Sequence, residues 1–194
     1  MKTEQFREGL ITRNRVLQAA LSVFSQKGYH ETTMDEVAKA AQISKGALYL
    51  HFPSKQSLFS ALVETAANML VEEMQEAMRP HQSHRAQLKA AVEAAFALLE
   101  RYRAVARLVF VRGSSDPLLE QQIYRVHQRM VTLIRERLEE AHVPDAQLVA
   151  LAWVGAIYEV LVWWMHEETT TTLTDLATPL TQLLLRSIRV EEDK

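Results

Sequence analysis

Apolar side chains recur every three or four residues along almost the whole of this 194-residue chain. That spacing places them on one face of a helix, whereas a half-buried strand would alternate apolar and polar residues, and the sequence shows no such alternation. Glycine and proline, which interrupt helices, number only five each. The pattern predicts an all-α fold.

Capping residues and helix breakers predict where these helices begin and end. Thr12 is the expected N-cap of the first helix, and Gly28 is the expected left-handed residue after its end. Pro179 either kinks the last helix or marks its true start, with Thr178 as the cap. The predicted helices span residues 13–27, 34–41, 44–50, 55–78, 85–102, 104–112, 117–141, 145–167 and 175–188.

Several classes of function lack their usual residues in this sequence. The chain has no cysteine, which excludes disulfides, thiol catalysis and thiolate metal sites. It has no Gly-rich phosphate loop, no G-x-S-x-G and no H-E-x-x-H, so we expect neither an enzyme nor a bound cofactor. His81 and His84 lie three residues apart without a third ligand, so we expect no metal site. The charged start lacks the apolar stretch of a signal peptide, and we expect a cytoplasmic protein.

Charge is distributed unevenly along the chain. Residues 1–55 hold eight Lys/Arg against five Asp/Glu, although the whole chain has a net charge of -2. A basic first part followed by an acidic remainder is typical of a protein that brings only one end to phosphate groups.

Two short predicted helices within residues 32–59 are joined by a turn of three or four residues. Ala38 and Ala41 are small enough for the helices to cross closely, which indicates a helix-turn-helix. In that geometry the second helix enters the major groove of DNA, where Lys45 can reach a guanine edge or a phosphate. The structural alternative is an ordinary helical hairpin with solvated charges.

The same segment resembles the N-terminal motif of the TetR family of bacterial repressors, roughly T-x-x-x-I-A-x-x-A-G-V-S-x-G-x-L-Y-x-H-F-x-S-K-x-x-L. The resemblance covers about residues 10–60. Gln42 departs from it, because the family usually has glycine in this turn, and a slightly different turn can result. The matching residues are Thr33, Val37, Ala38, Ala41, Ile43, Ser44, Gly46, Leu48, Tyr49, His51, Phe52, Ser54, Lys55 and Leu58.

This resemblance implies an N-terminal three-helix DNA-binding domain at residues 1–54 and a helical effector-binding and dimerisation domain at residues 55–194. Within the first domain, Thr33, His51 and Lys55 take phosphate-contacting positions. The predicted DNA-binding residues are Thr33, Ser44, Lys45, Gly46, Ala47, Tyr49, His51 and Lys55.

In the family, the last two long helices pair with those of a second copy, which implies a homodimer. The alternative is that their apolar stripes fill the core of the monomer. The run from Leu148 to Met165 approaches the length of a membrane span, but Glu159 interrupts it, and a mid-span carboxylate costs roughly 2.5–3.5 kcal/mol. We expect no membrane contact. The stripes comprise Leu148, Leu151, Ala152, Gly155, Ala156, Val162, Leu173, Leu176, Leu180, Leu183, Leu184 and Ile188.

Aromatic and apolar residues of the second domain predict a cavity for a greasy effector, although each of them can equally be plain core. The basic run Arg101, Arg103, Arg107 and Arg112 is either a solvated helix face or a clamp for the phosphates of a coenzyme A thioester. The predicted effector-binding residues are Phe96, Leu99, Tyr102, Arg103, Arg107, Phe110, Tyr124, His127, Trp153 and Tyr158.

Together these features predict a transcriptional repressor that binds a palindromic operator and releases it when a small, largely apolar effector binds. A fatty acyl-CoA is one candidate for the effector. The alternative is a soluble helical ligand-binding or dimerisation module that does not bind DNA.

Overall fold

The computed structural model of the chain describes residues 2–110, 117–167 and 170–188. Within these ranges the chain forms helices joined by turns, which confirms the all-α prediction. In chain order the helices are α1 (Lys2–Lys27), α2 (Met34–Ala40), α3 (Lys45–His51), α4 (Lys55–Met78), α5 (His84–Arg101), α6 (Arg103–Phe110), α7 (Pro117–Glu140), α8 (Ala146–His166) and α9 (Leu173–Arg186).

The first helix begins earlier than the sequence predicts. Thr12 lies inside α1, which begins at Lys2, so the prediction of Thr12 as its N-cap was wrong. Residues 2–11 contain no proline, and the Glu, Gln, Lys and Arg residues among them are good helix formers. Nothing in this segment therefore forces the helix to start at a cap.

The last helix begins at Leu173 because a capping box fixes its start. The Thr172 hydroxyl accepts a hydrogen bond from the Asp175 backbone N–H at 3.0 Å, and the Asp175 carboxylate accepts one from the Thr172 N–H at 3.1 Å. Pro179 consequently lies inside α9, and the alternative start with Thr178 as the cap was wrong.

The helices divide into two compact units. The first comprises residues 1–66 and 107–122, and the second comprises residues 67–106 and 123–194. The first unit therefore extends beyond residue 54 and includes the first half of α4.

Three aromatic rings form the centre of the first unit. Phe24 of α1 and Phe59 of α4 meet edge to face with ring centroids 5.4 Å apart, and Tyr29 lies 5.0 Å from Phe59. Helix α1 packs against α2, and α2 packs against α3. This cluster supports α2 and α3 through a surrounding layer of buried residues, namely Val16, Leu17, Ala20, Val37, Ala38, Leu48, Phe52 and Leu58.

The turn between α2 and α3 keeps the left-handed residue that a glycine would normally supply. Gln42 has a φ of 54°. Its N–H donates to the Lys39 carbonyl at 3.1 Å, and the Ile43 N–H donates to the Ala38 carbonyl at 3.0 Å. These two bonds are a Schellman motif, which ends α2 sharply. Gln42 forms this turn with a side chain in the left-handed region, which is strained relative to glycine.

The second unit is built on the pairing of α5 with α9. The hydroxyls of Thr174 and Thr178 in α9 donate hydrogen bonds to the carboxylates of Glu100 and Glu93 in α5, which sets the register of the pair. The apolar core beside it is formed by Leu70, Met74, Met78, Leu88, Ala91, Ala95, Val131, Leu133, Ile134, Leu138, Trp153, Val154, Leu184 and Leu185, among others.

Helix α8 is the one helix in the described ranges that is long and apolar enough to cross a membrane by length and composition. Ala150, Trp153 and Val154 of this helix lie in the core of the second unit. Core helices of water-soluble proteins pass the same test of length and composition, and the packing of these residues favours that interpretation.

Replacing Gln42 with glycine should raise the free energy of unfolding by roughly 0.5–1 kcal/mol, because glycine adopts a positive φ without steric cost. Ala40→Gly is the matched control: it lies two residues earlier in right-handed helix and should lower stability by roughly 0.5–1 kcal/mol. Urea unfolding at constant m-value measures both. A loss of stability in both variants would contradict the left-handed turn.

Candidate nucleic-acid interface

Side-chain caps fix the starts of both short helices. The Thr33 hydroxyl accepts a hydrogen bond from the Glu36 backbone N–H at 3.3 Å, and the Glu36 carboxylate accepts one from the Thr33 N–H at 2.9 Å. The Ser44 hydroxyl accepts a hydrogen bond from the Ala47 N–H at 3.1 Å. Each cap satisfies a backbone donor that a helix start leaves unpaired.

The Glu36 carboxylate is held strongly in its charged form. The Lys27 ammonium donates a hydrogen bond to it, and the Thr33 N–H and hydroxyl donate two more, which lowers the pKa of Glu36 to about 2. Lys27 at the end of α1 is thereby tied to the first turn of α2, and the orientation of the helix-turn-helix on α1 is fixed by charge as well as by packing.

Helix α3 buries one side and exposes the other. Leu48 is fully buried and anchors the helix. At 100° per residue, Gly46 and Leu50 lie on the face directly opposite Leu48. Lys45 and Tyr49 lie along one flank of that outward face, and Ala47 and His51 lie along the other. The predicted operator-facing residues therefore surround an outward face that is accessible in the structure.

Gly46 has no structural reason to be glycine. A Cβ built at this position would have nothing within 4 Å. Glycine in a helix costs about 1 kcal/mol relative to alanine. The fold therefore tolerates this cost without a compensating internal contact, which points to an external surface that must approach the backbone closely.

Lys45 is exposed, but its ammonium is already engaged. Its Nζ lies 2.7 Å from a carboxylate oxygen of Asp35 in α2. The hydrogen bond and the charge of Asp35 raise the pKa of Lys45 above its ordinary value. Since both side chains are well exposed, this ion pair is a weak one that a phosphate can compete for.

Lys55 makes contacts within the protein that the sequence analysis did not predict. Its Nζ donates to the backbone carbonyls of Tyr29 at 2.9 Å, His30 at 2.9 Å and Thr32 at 3.0 Å, and it lies 4.7 Å from the centre of the Tyr29 ring. An ammonium has three N–H groups, so all of them are used. Through these bonds Lys55 ties the start of α4 to the loop before α2, and its predicted phosphate contact stays a prediction.

The remaining predicted DNA-binding residues are accessible to different degrees. Tyr49 is 41% exposed. Ala47 and His51 are half-buried, and the His51 ring lies beside Phe52 with centroids 6.5 Å apart.

Leu50 is the residue that the sequence analysis missed. It is 88% exposed, the largest fraction among the large apolar side chains described. The family motif leaves its position unspecified, so the resemblance did not single out Leu50. The helical spacing from Leu48 was the available signal, since two residues along a helix turn the side chain by about 200°.

The predicted effector residues fall in both units. Arg107 and Phe110 belong to the first unit, the others belong to the second, and Arg112 lies outside the described residues. In the second unit Phe96 and Trp153 are buried, Leu99 is half-buried, and Tyr102 and Tyr124 are exposed. Trp153 donates to the Ser187 hydroxyl at 3.3 Å.

Two contacts in the second unit involve polar members of this set. The rings of His127 and Tyr158 meet edge to face with centroids 6.4 Å apart. The Arg103 guanidinium lies 4.3 Å from the centre of the Trp164 ring. A separate groove of about 570 Å³ lies at the turn between α7 and α8. Its lining contains none of the predicted effector residues and consists of Glu139, Val143, Asp145, Ala146, Gln147, Leu148 and Leu151.

Comparison with known proteins identifies the family of this chain. The model of the family "Bacterial regulatory proteins, tetR family" matches residues 16–62, which span the helix-turn-helix. The transcriptional activator FasR of Mycolicibacterium smegmatis is 30% identical over 162 residues, which cover 80% of this chain and 73% of FasR. The chain belongs to the TetR family of bacterial transcription regulators.

Solved structures of fatty acid regulators share its fold. The fatty acid degradation regulator FadR of Bacillus halodurans superimposes with a TM-score of 0.81 at 26% identity, covering 91% of this chain and 99% of that one. FadR of Bacillus subtilis, solved in complex with stearoyl-CoA, superimposes with a TM-score of 0.81 at 22% identity, covering 90% and 98%. Because these relatives are regulators, the TetR-family assignment also confirms the prediction that the chain is not an enzyme.

Asp35→Asn should strengthen binding to random-sequence DNA, because it frees the Lys45 ammonium and removes a negative charge beside it. The slope of log K against log salt should steepen by about one unit, as expected for one additional phosphate contact. Fluorescence anisotropy over a salt series measures both quantities.

Two controls make the Asp35→Asn result specific to the pair. Glu72→Gln removes the same charge from an exposed site on α4 and should leave DNA binding unchanged. In a Lys45→Met background Asp35→Asn should have little effect. Equal strengthening by Glu72→Gln would attribute the change to net charge and not to the ion pair.

Proposed function

We propose that this TetR-family regulator is a cytoplasmic repressor that binds a palindromic operator as a homodimer and releases it when a small, largely apolar effector binds. Residues 1–54 bind DNA, and residues 55–194 bind the effector and the second copy. The observation that carries the proposal is the outward face of α3, where Gly46 faces open space directly opposite the buried Leu48.

A base edge in the major groove is the surface that fits this face. The groove admits a helix, and a glycine lets the backbone come closest to the bases. Lys45 and Tyr49 on one flank and His51 on the other offer donors to the phosphates on either side of the groove. Thr33 and Ser44 hold the starts of α2 and α3 in place for this contact.

An exposed face of α8 that is apolar apart from Glu159 supports the homodimer. Leu148 is 67% exposed, Leu151 38% and Trp163 47%. Gly155 lies between them on the helix, and a Cβ built there would have nothing within 4 Å. A largely apolar exposed face of this kind on a water-soluble protein marks an interaction surface. On α9, Leu183 is 65% exposed, whereas the neighbouring Leu184 is buried in the second unit.

Leu183→Arg should therefore convert the dimer to a monomer, because it places an unpaired charge in the proposed interface between the two copies, at a cost of roughly 3–5 kcal/mol per buried charge. Leu184→Arg should instead unfold the second unit, since its side chain is 7% exposed in the single chain. Gln182→Arg, an exposed neighbour, is the charge control. Sedimentation velocity and thermal unfolding separate these outcomes. A folded, dimeric Leu183→Arg variant would contradict the placement of Leu183 in the dimer interface.

Stearoyl-CoA bound to FadR of Bacillus subtilis supports a fatty acyl-CoA as the effector, since that protein shares the fold. In this chain, Arg103 stacks its guanidinium face on Trp164 and is exposed. Stacking uses the face of the guanidinium and leaves the N–H groups along its edge suited to a phosphate. We assign the apolar end of the ligand to the half-buried His127 and Tyr158, since Phe96 and Trp153 are closed into the core.

Repression is the simplest consequence of operator binding by this chain. A dimer seated on an operator that overlaps a promoter excludes polymerase without any further contact. The related protein FasR, by contrast, is named a transcriptional activator. Transcription in vitro from the chain's own selected operator, with and without the protein, distinguishes the two directions.

Stearoyl-CoA should lower the affinity of the protein for the operator by about 5- to 150-fold, which corresponds to a coupling free energy of roughly 1–3 kcal/mol. Free stearate and coenzyme A alone should release it less. Arg103→Ala should weaken the response to stearoyl-CoA and leave operator affinity unchanged. The measurement is operator binding by anisotropy at increasing ligand concentration.

Arg79→Ala, an exposed arginine at the end of α4, is the matched control and should respond like the parent protein. Release by neither stearoyl-CoA nor stearate would exclude this ligand class. Equal release by both would remove Arg103 from the site while leaving an apolar effector in place.

A further inference from the structure

Leu50 is the most exposed large apolar side chain that the structure describes, at 88%. It is not needed for the fold, because Leu48 supplies the anchor of α3 on the opposite side. An isolated surface leucine needs no explanation in general. This one, however, lies at the centre of the face that the proposed function brings to DNA.

We propose that Leu50 is a specificity-determining residue that recognises thymine in the operator by packing against its 5-methyl group in the major groove. The inference rests on the proposed DNA binding. It assigns the centre of the outward face to apolar base recognition and leaves the charged and hydroxyl side chains on its flanks for the phosphates.

The position of Gly46 favours this geometry. Helical side chains lean towards the N-terminus, so Leu50 covers the surface one turn before its own Cα, which is the position of Gly46. Gly46 contributes no side chain there and has open space beside it. The backbone of the first turn can therefore come close to the base edges, and the Leu50 side chain can reach the floor of the groove beneath it.

The chemistry selects one base. A leucine side chain neither donates nor accepts a hydrogen bond, so it cannot read the polar atoms that distinguish guanine, cytosine and adenine. Thymine is the base that presents a methyl group in the major groove. The phosphate backbone is the other DNA surface within reach, and burying an apolar side chain against charged oxygens gains little. Lys45, with its ammonium shared with Asp35, is the better candidate for the backbone.

Replacement of thymine by uracil removes this methyl group and changes nothing else on the base. The operator is first selected from a random double-stranded library with the full-length protein. Each thymine of the half-site is then replaced by uracil, symmetrically in both halves. One position should weaken binding by about fourfold per half-site, the effect expected for one buried methyl group.

Combining the base change with a protein change isolates the contact. Leu50→Ala should bind the thymine operator more weakly by at least the same factor, and uracil at the sensitive position should cause no further loss. Leu50→Met keeps an apolar side chain and should keep the sensitivity to uracil. Leu50→Gln, of similar size, should shift the selected base at that position towards adenine, which pairs with an amide by two hydrogen bonds. Thermal unfolding should be unchanged in all three variants, because the side chain is exposed.

Each other outcome is decisive. An operator bound by the parent protein with no sensitivity to uracil at any thymine would overturn the role of Leu50 and leave the DNA-binding function intact. An equal loss on uracil in the parent and in Leu50→Ala would assign the methyl group to another residue. Full operator affinity in Leu50→Ala, together with altered self-association, would make Leu50 a protein contact. Failure to select any DNA sequence would overturn the proposed function itself.

Discussion

Helix α3 is seven residues long, and a helix of that length is not stable in water on its own. Its existence depends on contacts made elsewhere in the first unit. Leu48 fixes one side of it by burial, Ser44 closes its first turn, and Phe52 is buried directly after its end. Because Leu48 is the buried residue that anchors α3, the outward side chains of the helix are not needed for folding and can serve binding.

Hydrogen bonds from Lys55 and Thr32 fix the loop that precedes α2, together with the packing of the Tyr29 ring against Phe59. Lys55 donates to three carbonyls there, and the buried Thr32 hydroxyl donates to the Gly28 carbonyl at 2.7 Å. Backbone carbonyls after a helix end have no helical partners, so an ammonium placed among them satisfies several at once. The first residue of α4 thereby becomes part of the support of the helix-turn-helix.

Local rules of sequence predicted much of this unit, and tertiary contacts account for what they missed. The bounds of α4 followed from Ser54 before its start and Pro80 after its end, whereas the sequence did not predict the left-handed conformation of Gln42. The role of Lys55 could not be predicted, because its partners lie 23 to 26 residues earlier in the chain. Similarly, the aromatic residues in the sequence could not be divided into those that line a cavity and those that fill the core: Trp153 is 2% exposed and Tyr124 is 61% exposed.

Helix α4 passes from the first unit into the second. It runs from Lys55 to Met78 without glycine or proline, and it contributes residues to both units. Sharp kinks in helices occur mostly at proline, at Gly/Ser pairs and at π-bulges, and α4 has no proline or glycine after its first residue. That first residue is Lys55, whose ammonium holds the loop before α2. A ligand can change DNA binding only if its affinity differs between two conformations of the protein, since equal affinity would shift nothing.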